Sequence, residues 1–239
     1  MSMLGQSITR NSVLLAIFAI CTTLLIAGTY LSTRDRIVLE KRKAEEKALL
    51  EVIPRERHDN SMLDETITVG PEAAGLGLTG EKRIYVARKE GDIVAVVIPA
   101  TAPDGYTGAI DLIVGVNLDG SIAGVRALAH KETPGLGDKV DIKKSDWVLD
   151  FNGRSLENPD ISGWAVKKDK GEFDQFTGAT ITPRSIVKAV KNTLLFVERE
   201  GDALYVPSQQ PVPDAAPQAP AEAAPAQAHR APAANGETG

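Results

Sequence analysis

A single cysteine, Cys21, and three histidines, His58, His130 and His229, are all the thiol and imidazole ligands this 239-residue sequence contains. None of them cluster along the chain. Within one chain this excludes a zinc site, an iron–sulfur cluster, a C-x-x-C-H haem attachment and a disulfide framework. Aromatic residues are scarce, at 5%, and the formal charge is -5. With no basic stripe interleaved with aromatics, the composition argues against a nucleic-acid partner. No G-x-G-x-x-G joins a strand to a helix and no P-loop occurs, so no nicotinamide or nucleoside-triphosphate site is visible. Redox chemistry in such a chain calls for a cofactor that needs no metal ligands.

Charge is also missing from one long run. Val13 to Leu31, VLLAIFAICTTLLIAGTYL, holds 19 residues without a charged side chain. As a helix it is long enough to cross a hydrocarbon core of roughly 30 Å. A cleaved signal peptide is the alternative, because Arg10 precedes the run. The run exceeds a typical h-region, lacks a clear A-x-A site, and continues into a charged helical pattern, all of which favour an uncleaved anchor. One basic residue, Arg10, precedes the span, whereas Arg34, Arg36, Lys41, Arg42 and Lys43 follow it. By the positive-inside rule alone, the following domain would be cytoplasmic.

Beyond the anchor, Ala44 to about Ile53 reads as a helical stalk with Leu49, Leu50 and Ile53 on one side, stopped by Pro54. Residues 54–80 are turn-rich and support no firm assignment. Arg83–Arg88 and Asp92–Pro99 flank Glu90-Gly91 as a hairpin. Gly108–Asn117 and Ser121–His130 form a second around Leu118-Asp119-Gly120. Asp138 to Phe151 holds a short helix, Trp164–Lys168 another strand, and a last helix follows Thr182. From Pro207 to Gly239 the chain has seven of its 14 prolines and eleven alanines; such a tail buries too little to offset ordering entropy and reads as disordered. The expected organisation is a tail and anchor (1–33), a stalk and connector (34–80), one α+β domain with an antiparallel sheet and packed helices (81–206), and the disordered tail (207–239).

Two turns carry the chemistry. Asp174-Gln-Phe-Thr177-Gly178-Ala179-Thr180 lies just before the last helix, where Thr182 reads as N-cap and Pro183 as the first helical residue. Free N–H groups and the helix dipole make this region a seat for phosphate; a bare Thr-x-Thr-Pro would equally be an ordinary cap. The second is Glu132-Thr133-Pro134-Gly135-Leu136-Gly137 at a strand end. By itself it is a tight turn.

Asp-x-x-Ser/Thr-Gly-Ala-Thr resembles the flavinylation motif of the FMN-binding domain family, and E-T-P-G-L-G resembles the segment that packs against the flavin there. Thr107-Gly108, after Tyr106, is similar to the family's start of the FMN-binding region. Together these matches span about residues 105–196. The resemblance implies FMN attached by a phosphoester to Thr180, made by a separate flavin transferase for which Asp174 is a recognition element. It implies that Thr177, Gly178, Ala179 and Thr182 surround the attachment point. Glu132 and Thr133 would hydrogen-bond ring or ribityl groups, Leu136 would cover a ring face, and Pro134, Gly135 and Gly137 would shape the close approach.

Thr177 and Pro183 make the run similar to the Rnf type, whose members work with the other subunits of a membrane electron-transport complex linking ferredoxin and NAD redox chemistry to ion transport. The C subunit of sodium-translocating NADH:quinone reductase more often has Asp-Gly-x-Ser-Gly-Ala-Thr without the proline. The resemblance implies an inner-membrane, single-pass protein whose domain is periplasmic, against the charge count. On this reading the chain is a non-autonomous redox subunit rather than an enzyme by itself. A membrane-anchored scaffold with an empty flavin site, and a flavin reductase with its own substrate pocket, are the competing classes. The first would have lost Thr180 or the 132–137 turn, and the second calls for a nucleotide site or a His/Cys beside the flavin.

Overall fold

The computed structural model describes residues 2–204; the Ala/Pro-rich stretch expected to be disordered lies outside the described residues. The first element, α1, runs unbroken from Ser2 to Val52, about 75 Å at 1.5 Å per residue. Its apolar part is long enough to cross a membrane and buries nothing inside the molecule. The hydroxyls of Thr22, Thr29 and Thr33 fold back onto carbonyls one turn earlier, at 2.8–3.0 Å, which removes unpaired donors from a face meant for hydrocarbon. Pro54 follows the helix end, as expected from its effect on the preceding residue.

Five strands form an antiparallel sheet in the order β1-β2-β3-β4-β5: Thr66–Val69, Lys82–Lys89, Asp92–Ala102, Ile110–Asn117 and Ile122–Ala129. Both expected hairpins are present. Glu90 and Gly91 take φ of 56° and 91°, and Gly120 takes 77°, the positive values that tight hairpin turns demand. β1 falls within the turn-rich stretch that the sequence left unassigned. β3 runs past Pro99 to Ala102, because there it pairs with β4 alone, its ladder with β2 having stopped at Tyr85↔Val97. The imide nitrogen therefore faces no ladder it could break.

The apolar runs of β3 and β4 are continuous rather than alternating, and the sheet is buried on both faces. One face carries Val96, Ile98, Leu112, Val114, Ile122 and Val125 against α2 (Ile181–Leu204). The other carries Tyr85, Ala95, Val97 and Ile113 against Leu49, Val52 and Ile53 at the end of α1. Val94 is the extra residue of a bulge, between Arg88↔Ile93 and Ala87↔Ala95, which turns Ile93 to the α2 face. Residues 66–78 join the α2-side core through Val69, Leu76 and Leu78.

Two expected elements differ. Asp138–Phe151 holds two 3₁₀ segments, Gly137–Val140 and Asp146–Phe151, in place of one helix. Trp164–Lys168 is not a strand. Val166 makes one isolated bridge to Phe173, and Lys167–Asp169 is a 3₁₀ turn. Its apolar side chains point into an aromatic cluster instead of lining a sheet face.

Candidate functional site

The start of β4, the end of β5 and the start of α2 meet at one end of the sheet, and their loops carry the two turns singled out above. In the first, Ala179 N–H donates to the Phe176 carbonyl at 3.1 Å, closing a turn around Thr177 and Gly178. Gly178 has φ 81°, a conformation costly to any residue with a Cβ. Thr177 and Gly178 are exposed, and Ala179 and Thr180 partly so.

α2 begins at Ile181, earlier than expected. The Thr180 carbonyl accepts from Arg184 N–H at 3.3 Å, so Thr180 itself occupies the cap position assigned by sequence to Thr182. Pro183 stands in the first turn, where its missing N–H breaks no helical bond. Thr182 is fully buried. The free donors of the first turn are thus next to Thr180.

The second turn is closed by Leu136 and Gly137 N–H groups, both donating to the Thr133 carbonyl at 3.1 Å. Gly135 takes φ 79°, and its N–H donates to Asp138 Oδ1 at 2.7 Å. Thr133 is half-buried, while Pro134 and Leu136 are exposed. Leu136 lies beside the first turn: a Cβ placed on Gly178 would sit 3.7 Å from Leu136 Cδ2. The second turn presents Leu136, 43% exposed, and Ile181, 45% exposed, follows Thr180, itself partly exposed at the helix start. That combination suits an anionic ester carrying a flat, largely apolar ring.

Glu132 lies beneath these turns and does not face outward. It is 5% exposed. Its Oε1 accepts from the Thr107 N–H at 3.0 Å and the Thr107 hydroxyl at 3.1 Å, and its Oε2 accepts from the Thr182 hydroxyl. Burial pushes the carboxyl up, but the hydrogen bonds from Thr182 and Thr107 outweigh it and leave its pKa below the ordinary value. Glu132, expected to bond ring or ribityl groups, and Thr182, expected beside the attachment point, therefore bond to one another.

Asp174 is exposed, with Lys167 Nζ 2.7 Å from its carboxylate. Its backbone carbonyl accepts from the Trp147 indole N–H at 2.8 Å. Behind the first turn, Phe176 meets Trp147 edge-on at 5.1 Å, and Trp147, Phe151, Phe173 and Trp164 continue the contact series. Both tryptophans and three of the five phenylalanines are spent on this support. Arg184, in the first turn of α2, bonds both carboxylate oxygens of Asp169. That pairing lowers the Asp169 pKa and raises that of Arg184. Sequence reading missed the Trp147 contact and the Thr107–Glu132 bond; the only signal for the latter was Thr107-Gly108 as the start of a motif.

Residues 105–195 match the family described as FMN-binding domain, and residues 1–52 match the RnfG N-terminal region. Among curated relatives, a protein of Pseudoalteromonas atlantica is 48% identical over 205 residues, covering 86% of this chain and 95% of the relative. One of Vibrio vulnificus is 47% identical, covering 80% and 90%. One of Pseudomonas aeruginosa is 46% identical, covering 85% and 95%. All three are named as the G subunit of the ion-translocating oxidoreductase complex.

Proposed function

This chain belongs to the family of G subunits of the ion-translocating oxidoreductase complex, and from that premise we propose that it holds its FMN covalently, by a phosphoester on Thr180. It is a membrane-anchored, single-pass component of an Rnf-type complex, with an FMN-binding domain that serves electron transport. The finer reading is that it passes electrons between neighbouring subunits in a chain linking ferredoxin and NAD to ion transport. Its domain stands on the periplasmic side.

The observation that carries the attachment is the position of Thr180: a partly exposed threonine at the cap of α2, two residues from Gly178, which lies beside Leu136. FMN, when bound, supplies the electron-accepting and electron-donating chemistry. The chain's own part is to hold and orient. The N–H groups of Ile181 and Thr182 have no carbonyl one turn back, and a phosphodiester charge there gains about 0.3–1 kcal/mol from the helix dipole. Leu136 offers an apolar surface to the ring, Gly178 and Ala179 let the backbone approach it, and Thr133, Pro134 and Gly135 shape the opposing turn. No cysteine or histidine adjoins Thr180 in sequence, which suits an ester made by a separate flavin transferase. Asp174, exposed on the same loop, is the element that transferase reads.

Intact-mass measurement of the full chain purified from its host tests the reading. The expected increment is one FMN less one water, with the modified peptide containing Thr180. A chain at its unmodified mass would instead support a membrane-anchored scaffold with an empty site.

A further inference from the structure

The Glu132 side chain is buried, and its carboxylate joins its own turn to the loop before β4 and to the first turn of α2. It lies in the 132–137 turn, receives both polar hydrogens of Thr107 from the loop before β4, and receives the hydroxyl of Thr182 from the first turn of α2. Two glycines make room for it. A Cβ on Gly137 would fall 2.5 Å from Glu132 Oε2 and 3.0 Å from the Thr182 hydroxyl, and one on Gly105 would fall 3.0 Å from Glu132 Oε1. Its own N–H is engaged as well, with His130 Nδ1 at 3.2 Å. Three loops from distant parts of the chain thus close around one ionised side chain, with small residues wherever it needs space.

We propose that Glu132 is a positioning residue: a buried clip that sets the Leu136 turn and the start of α2, with Thr180, at a fixed separation across the flavin site. This rests on the attachment of FMN to Thr180 for its functional meaning, whereas the clip itself is a property of the polypeptide. Charge-assisted bonds are roughly twice as strong as neutral ones, and a buried donor stripped of its acceptor is costly. Glu132 is therefore suited to hold loops that would otherwise move independently. It touches no reacting atom. Its effect on electron transfer runs through the placement of the turns.

The experiment has two arms on the full-length protein in detergent. The first uses the Thr180→Val background, which carries no ester, and follows amide hydrogen exchange in the 104–108 and 132–137 segments. Glu132→Gln and Thr182→Val are each expected to speed that exchange by about tenfold or more, and their combination to add little to either alone. Thr182→Ser, which keeps the hydroxyl, is expected to retain full protection. The second arm takes the flavin-loaded chain and measures the flavin midpoint potential. Glu132→Gln and Thr182→Val should both shift it, and Thr182→Ser should leave it in place. Unchanged exchange in Glu132→Gln, or equal loss of protection in Thr182→Ser and Thr182→Val, overturns the clip. A clip intact in the first arm with an unmoved potential in the second overturns its role in positioning. Absence of ester from Thr180 in the unmutated chain overturns the attachment and leaves the first arm standing.

Discussion

Thr177 and Thr180 show how little residue type says and how much position says. Both are threonines on one short turn, but Thr177 is an exposed turn residue while Thr180 caps α2. Thr180→Val is near-isosteric and leaves the Arg184 N–H bond to the backbone carbonyl intact. It is expected to abolish covalent flavin, read as in-gel fluorescence under denaturing conditions, while the domain stays folded. Thr177→Val is expected to lower loading without removing it; fluorescence surviving in Thr180→Val would move the attachment elsewhere. Glu132 adds a pH dependence whose sign follows from its hydrogen bonds. Its folded pKa lies below the ordinary 4.5, so it contributes stability that is present above that value and lost as pH falls through the folded pKa. His130, two residues before it, acts on the Glu132 pKa in the same, lowering direction. Denaturant unfolding of Glu132→Gln should show a deficit of about 1–3 kcal/mol at neutral pH. The deficit should shrink below the carboxylate range, where the native side chain is itself protonated.

At the scale of elements, the junction between α1 and the sheet is set by two glycines. Gly115 and Gly124 face one another across β4 and β5, and Val52 at the end of α1 sits over them. A Cβ on Gly115 would lie 2.3 Å from Val52 Cγ1, and one on Gly124 would lie 3.4 Å from the Val52 backbone. The β-branched Val52 side chain has few rotamers to escape into. Gly115→Ala is therefore expected to destabilise the chain by about 1–3 kcal/mol through overpacking. Val52→Ala in the same chain should recover part of that loss, making the pair non-additive in denaturant unfolding. Equal, additive costs would show that the helix end does not rest on this notch. The loop before α2 has a comparable dependence on one contact. Trp147→Phe keeps the ring contact with Phe176 but removes the 2.8 Å bond to the Asp174 carbonyl. The expected cost is about 1 kcal/mol, with increased mobility of residues 173–180 in hydrogen exchange.

For the whole molecule, the consequence is that anchor and flavin domain share a core. α1 passes from its apolar run to Leu49 without interruption, about 27 Å of helix beyond Leu31. Arg42–Asp64, Arg83–Glu45 and Arg126–Glu51 ion pairs, at 2.8, 3.0 and 3.3 Å, tie the stalk to the domain. The exposed Arg42–Asp64 pair adds little, and the buried Leu49, Val52 and Ile53 carry most of the attachment. The orientation of that unit is where sequence rules disagree. Five basic residues follow the span and one precedes it, which by charge bias favours a cytoplasmic domain; the proposed ester requires the opposite side. A reporter active only in the periplasm, fused after Phe196, is expected to be active. Signal only from a cytoplasmic reporter would return the assignment to the charge rule.

Much of this was legible along the chain because it depends on local pattern. The uncharged run, the Pro54 stop, the Glu90-Gly91 and Asp119-Gly120 turns and the continuous apolar strands are each decided by neighbours within a few residues. So is the Thr-Gly-Ala-Thr turn, whose resemblance to a known motif needs no third dimension. The strand expected at Trp164–Lys168 failed because an apolar stretch feeds an aromatic cluster as readily as a sheet, and period alone does not distinguish them. The cap of α2 shifted from Thr182 to Thr180 for a similar reason. Either threonine serves a helix start, and the choice fell to a carboxylate 50 residues away that takes the Thr182 hydroxyl inward. Glu132 itself was read as a ligand contact, because sequence shows that a carboxylate is near a site but not which way it faces. Burial and direction are set by long-range packing, and only the assembled loops decided them.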